Sequence, residues 1–134
     1  MREIRRIIIS NDELLLAFAS YSRKTPNFLP PGKLLSCTPH GSPGVESEVR
    51  IRIETNFNNL IKNIELVYRG VDVLQPIILY CLENNITLPR EGRKVFMVVE
   101  SQANLMIDLN LDYDLVFEEA PMTSEDISRI REAI

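Results

Sequence analysis

Apolar residues change their spacing several times along the chain, and each change marks an element. Ile4, Ile7, Ile8 and Ile9 make a β-branched run over residues 3–9, short enough to suit a strand. Ser10 then opens a helix. Its hydroxyl can accept from the N–H three residues on while Glu13 reaches back, the S-x-x-E capping box. Leu14, Leu15, Phe18 and Tyr21 give that helix an apolar face, and Pro26 ends it. A short strand over 33–37 leads into a segment rich in proline and glycine, read as a flexible loop at about 38–47. Beyond it Val49, Ile51 and Ile53 alternate with Arg50, Arg52 and Glu54, the pattern of a half-buried strand.

From Asn56 the period lengthens. Phe57, Leu60, Ile61, Ile64, Val67 and Tyr68 fall at helical spacing, and the competing alternation of Ile64, Leu66 and Tyr68 accounts for fewer apolar positions, so a helix is expected. Gly70 suits its end. Asp72 then caps a further helix, with Gln75 three residues on and Pro76 in the first turn, where N–H groups lack intrahelical partners. Asn84 and Asn85 supply its stop. Residues 94–100 and 105–111 form the arms of a β-hairpin across a short polar connector. In the second arm Leu105, Ile107, Leu109 and Leu111 are expected to face the core, with Met106, Asp108, Asn110 and Asp112 in water. Thr123 and Asp126 form a second capping box, opening a helix from 124 on which Ile127, Ile130 and Ile134 share a face.

The expected order is β-α-β-β-α-α-β-β-α. This is an α+β fold: an antiparallel sheet of about four to five strands with helices packed on one face, and a short C-terminal helix. One internal similarity stands out, a helical tyrosine eight residues before Leu-Pro, then glycine and lysine. It occurs as Tyr21, Leu29, Pro30, Gly32, Lys33 and again as Tyr80, Leu88, Pro89, Gly92, Lys94. The different elements read before each helix speak against a duplication.

Length and composition bound the class. The 134 residues suit one domain over 1–134, and 45% apolar with 25% charged residues is an ordinary globular balance. No apolar run nears the roughly 18 residues that span a bilayer, and the N-terminus lacks a secretory pattern, so a soluble, cytoplasmic protein with no membrane contact is expected. Cys37 and Cys81 match neither a CxxC pair nor a metal knuckle and fit a reducing compartment; Cys81 reads as a small core hydrophobe. A net charge of −4 repels phosphate chains unless the cations are segregated.

Three groups of residues could carry chemistry. Cys37 and His40 lie three apart, and a histidine can activate a thiolate. Asp108, Asp112, Asp114, Glu118 and Glu119 gather carboxylates of the kind that hold Mg²⁺ or Ca²⁺, though in no EF-hand order. Arg90, Arg93 and Lys94 form the densest basic cluster, with Arg50 and Arg52 on one strand face, a candidate contact for an anion or a partner. Tyr21, Tyr68 and Tyr80 read as core or interface anchors. No phosphate-loop, dinucleotide, zinc-protease or serine-hydrolase motif is present, so no catalytic, cofactor or metal residue is assigned. The expected function is a non-enzymatic protein-interaction module: an adaptor, small regulator or accessory factor, chaperone-like in mass and acidity, binding a protein partner or itself. The alternatives are a nucleic-acid or phosphate-binding regulator using Arg90, Arg93 and Lys94, and a small enzyme using Cys37 and His40.

Overall fold

Ser10 separates the first strand from the first helix. Its Oγ accepts from Glu13 N at 3.1 Å while Glu13 Oε1 accepts from Ser10 N at 3.0 Å, so the capping box forms as the sequence predicts. The computed structural model describes residues 2–42 and 45–110. Over these the elements are β1 (Arg2–Ile9), α1 (Asn11–Lys24), β2 (Lys33–Ser42), β3 (Val45–Phe57), β4 (Leu60–Arg69), α2 (Gly70–Glu83), β5 (Arg93–Val99) and β6 (Gln102–Asn110). The fold is α+β and antiparallel. It holds two three-stranded sheets, ordered β1-β6-β5 and β2-β3-β4, in place of one sheet of four to five strands. No described helix is long and apolar enough to cross a membrane. The capping box at Thr123, the helix from 124, and Leu111 and Asp112 lie outside the described residues.

Three expectations need correction. The helix expected from Asn56 is instead the end of β3, a turn and β4. Asn58 and Asn59 take φ of 51° and 63°, the two left-handed positions of a two-residue hairpin turn, which asparagine tolerates. Gly70 therefore begins a helix, with Arg69 as N-cap and no side-chain cap, and Pro76 lies in the middle of α2. A mid-helix proline costs about 3 kcal/mol; burial of Val73, Pro76, Ile77 and Cys81 against the core offsets it. Second, residues 38–42 and 45–47 belong to β2 and β3, with Thr38 opposite Arg50 and His40 opposite Glu48. Pro39 is accommodated because β2 is an outer strand, where one side of the backbone needs no partner. Third, Met106 and Asp108 are buried, not in water. β6 is the central strand of its sheet and is covered on both faces, with Leu105, Ile107 and Leu109 on one and Asn104, Met106 and Asp108 on the other.

Other expectations hold. The second helix stops at Asn84 and Asn85: Asn85 takes φ of 57°, and Ile86 N donates to Cys81 O at 2.8 Å, the Schellman closure. The last hairpin forms, its turn tightened to Glu100 and Ser101 at φ 51° and 64°. One cluster of buried apolar side chains draws on both sheets and both helices, including Leu14 and Phe18 of α1, Val73 and Ile77 of α2, Ile51 of β3 and Leu105 of β6. The helices are also tied by polar contacts. Ser20 Oγ donates to the Glu83 carboxylate and Lys24 Nζ reaches it at 3.3 Å, which together hold that carboxyl below its ordinary range.

The internal similarity turns out to be structural. A strand precedes both helices, so the unit β-α-β-β occurs twice, as β1-α1-β2-β3 and β4-α2-β5-β6. Each unit gives its first strand to the other's sheet: β1 pairs with β6 and β4 pairs with β3. Leu14, Ala17 and Phe18 are buried on α1, and Val73, Pro76 and Ile77 take the same spacing on α2. Gly32 and Gly92 precede or open the third element of each unit at φ of 144° and 99°. A Cβ on Gly32 would lie 2.7 Å from Ile53 Cγ2 and also strike the Glu54 carbonyl; one on Gly92 would lie 2.8 Å from Leu109 Cδ2. Each glycine thus lets its loop close onto the last strand of its own unit. Both Gly32→Ala and Gly92→Ala should destabilise the protein by about 1–3 kcal/mol. The loss should be larger at Gly32, where backbone blocks the methyl, and chemical denaturation of the purified variants measures it.

Candidate functional site

β4 is built as an edge with an apolar outer rim. Its inner residues Ile64, Leu66 and Tyr68 lie opposite Ile53, Ile51 and Val49 of β3 and pack on the core. Tyr68 is further fixed by an aromatic group. Its ring centroid lies 5.1 Å from that of Phe28 and 5.6 Å from that of Phe18, and its hydroxyl donates to the Phe28 carbonyl. Tyr68 is thus the anchor its sequence suggests, on a strand instead of a helix, while Tyr21 packs edge-on to Phe28 at 4.6 Å. Together these contacts hold β4 rigidly against α1 and the segment that follows it.

Among the described residues the other side of β4 has no strand beside it, since the sheet order is β2-β3-β4. A two-residue turn closes on a hydrogen-bonded pair, here Phe57 and Leu60, so even-numbered residues of β4 bond to β3. The N–H and C=O groups of Ile61, Asn63, Glu65, Val67 and Arg69 therefore point outward along the edge. Their surroundings are apolar. Eight large apolar side chains are exposed among the described residues, and five of them, Phe57, Leu60, Ile61, Val67 and Val71, fall in this one stretch. Phe57 and Val71, at its two ends, are 76% and 80% exposed. The equivalent strand of the other unit differs: β1 carries Arg2, Glu3, Arg5 and Arg6 in place of such a rim. Charged side chains are how natural sheets blunt an edge; β4 carries Lys62, Glu65 and Arg69, yet leaves Ile61 and Val67 exposed beside them.

The residues singled out in the sequence do not converge. Cys37 is buried on the inner face of β2 opposite Ile51, whereas His40 lies on the outer face, so one strand separates thiol from imidazole. Burial pushes the Cys37 thiol up to about 12, the reverse of what a nucleophile needs. Arg90 is in the loop before β5, and Arg93 and Lys94 are neighbours in a strand, so their side chains leave on opposite faces. Arg93 lies opposite Asp108, which also takes two bonds from Arg2, at 3.1 and 2.9 Å. Asp108 is thereby engaged by cations, and the remaining carboxylates of the acidic group lie outside the described residues. Arg50 and Arg52 are exposed on the outer face of β3, on the other sheet. With Ser36, Thr38, His40 and Glu65 they line an open depression of about 200 Å³ beside β4. Arg50 there pairs with Glu48 at 3.2 Å, and Arg52 lies opposite Glu65, so this face has mixed charge and is no phosphate cradle.

Sequence reasoning missed β4 as a strand, and with it the edge. The available signal was Asn58-Asn59, a hairpin turn pair between two β-branched runs. Comparison of the chain with protein-family models, curated proteins and solved structures finds no match.

The Cys37 shift has a consequence for stability. The folded-state thiol binds its proton more tightly than the unfolded one, so its contribution is complete below about pH 9 and is lost as pH rises toward 12. Denaturation midpoints should therefore fall across that window, and Cys37→Ala should flatten the fall. The thiol should also resist mild alkylation near neutral pH until the protein is unfolded.

Proposed function

We propose that the protein is a non-enzymatic interaction module, an adaptor, small regulator or accessory factor, that takes up a protein partner along the outer edge of β4. The observation that carries this reading is the outer edge of ten-residue β4, which has no described strand beside it, with Leu60, Ile61 and Val67 exposed on the strand and Phe57 and Val71 exposed at its two ends. Such an edge offers main-chain hydrogen bonds for affinity and apolar side chains for specificity, the physics of β-strand addition. It is also a hazard if left unused, because the same groups template aggregation. Arg50 and Arg52, on the adjoining sheet face, would then meet polar groups of the partner at the rim. Two free, buried cysteines fit a reducing compartment such as the cytoplasm.

Asn63→Pro tests the reading. The Asn63 N–H points away from β3, so proline there removes no internal hydrogen bond but bars strand addition. In isolation from native extract, the proteins held by the wild type should be lost by about tenfold or more with Asn63→Pro, a change worth roughly 1.4 kcal/mol of binding or more. Circular dichroism and Cys37 protection should be unchanged. Equal recovery with both proteins would count against the edge.

A further inference from the structure

We infer that the occupant of the β4 edge is a second copy of this chain, paired antiparallel about a two-fold axis at Ile64. The inference rests on β4 being the docking edge and goes beyond it by naming the partner and the register. In a symmetric antiparallel pair side chains must meet on the same face, so the axis passes through a residue. With Ile64 at the axis, Ile61 lies opposite Val67 of the second copy, and Val67 opposite its Ile61. These are the two exposed apolar side chains on the outer face of the strand, at 62% and 52%. Asn63 meets Glu65, Leu60 meets Tyr68, Leu66 meets the stem of Lys62, and the two Ile64 side chains meet each other. No like charges face one another.

Neighbouring registers lose this match. An axis at Glu65 sets the two carboxylates opposite each other; one at Leu66 sets Glu65 against Val67; one at Asn63 sets Ile61 against Glu65. The backbone agrees with the side chains. Ile61, Asn63, Glu65 and Val67 turn their N–H and C=O groups away from β3 and pair with no other described strand, and the Ile64 register pairs Ile61 with Val67 and Asn63 with Glu65. The ends also fit, because the hairpin tip with Phe57 is brought to the start of α2 in the second copy, where Val71 is exposed. The two sheets then become one of six strands, β2-β3-β4-β4-β3-β2, and β4 ceases to be an edge.

The test is sedimentation of the full chain with register-specific cross-linking. Wild type should run at twice the 15.4 kDa of one chain across the micromolar range. Ile61→Lys combined with Val67→Lys should run as one chain, because lysines then face each other across the axis while the fold, in which both positions are exposed, is kept. Mixing Ile61→Cys with Val67→Cys under mild oxidation should give a disulfide dimer that neither variant gives alone. The paired Cα atoms would be about 5.5 Å apart, and Cys37 and Cys81 are buried and silent. A wild type that sediments as one chain throughout, or a mixture that cross-links no better than its components, overturns the inference. If a different protein is still lost with Asn63→Pro in that case, the interaction edge stands and only its occupant is wrong. A dimer that survives the double lysine substitution overturns the assigned register and edge together.

Discussion

Strand exchange between the two halves is the constraint on which the rest of the structure depends. β1 completes the sheet built by the last two strands, with Ile9 opposite Ala103, and β4 completes the sheet built by β2 and β3. Neither β-α-β-β unit can satisfy its sheet alone, because its first strand pairs elsewhere. The helices follow from this: α1 and α2 connect strands that belong to different sheets, so they are brought beside each other and share one core with both sheets. Pairing the chain's first strand with its last described one also closes a very long loop, which costs entropy and slows folding. Hairpins β3-β4 and β5-β6, each closed by a two-residue turn, can form first and supply the templates.

Exchange of this kind makes two equivalent outer strands, β1 and β4, and the chain treats them in opposite ways. Arg2 and Arg6 of β1 reach across to Asp108 and Asn104, at 2.9 and 2.6 Å, so these two charges hold the strand to its own sheet. β4 instead exposes Ile61 and Val67 beside its charged Lys62 and Glu65, and Arg69 sits 3.7 Å from Glu46 on the neighbouring strand. The two sheets also differ in their second faces: Met97 and Met106 are fully buried on one, while Arg50 and Arg52 are exposed on the other. The asymmetry falls on equivalent positions of one architecture, so it reflects the residues and not the fold.

The elements with local signals were legible. The Ser10 box, the Asn84-Asn85 stop, and the alternation of Val49, Ile51 and Ile53 depend on neighbours in sequence, and each forms as read. What was not legible depended on partners far away. Asp108 looks solvent-facing by alternation, yet β6 is a central strand buried on both sides, which only the pairing with β1 and β5 decides. The segment 38–42 carries proline and glycine and so reads as a loop, but its position beside β3 extends it. Cys37 and His40 are three apart in a loop reading and adjacent in chemistry; on a strand the odd spacing parts them to opposite faces.

The misread helix is the most informative of these. A strand with one buried face leaves its other face polar, and periodicity then identifies it without ambiguity. β4 defeats that test because Ile61 and Val67 on its outer face join Leu60, Ile64 and Tyr68 on its inner face, and the combined set falls at helical spacing. Ile61 and Val67, which tip the segment toward a helical reading, are among the exposed side chains of the described residues. Such residues contribute nothing to the core of one chain, and exposing them costs solubility. Periodicity assumes that every large apolar side chain in a segment is buried on one face, and among the described residues Ile61 and Val67 break that assumption.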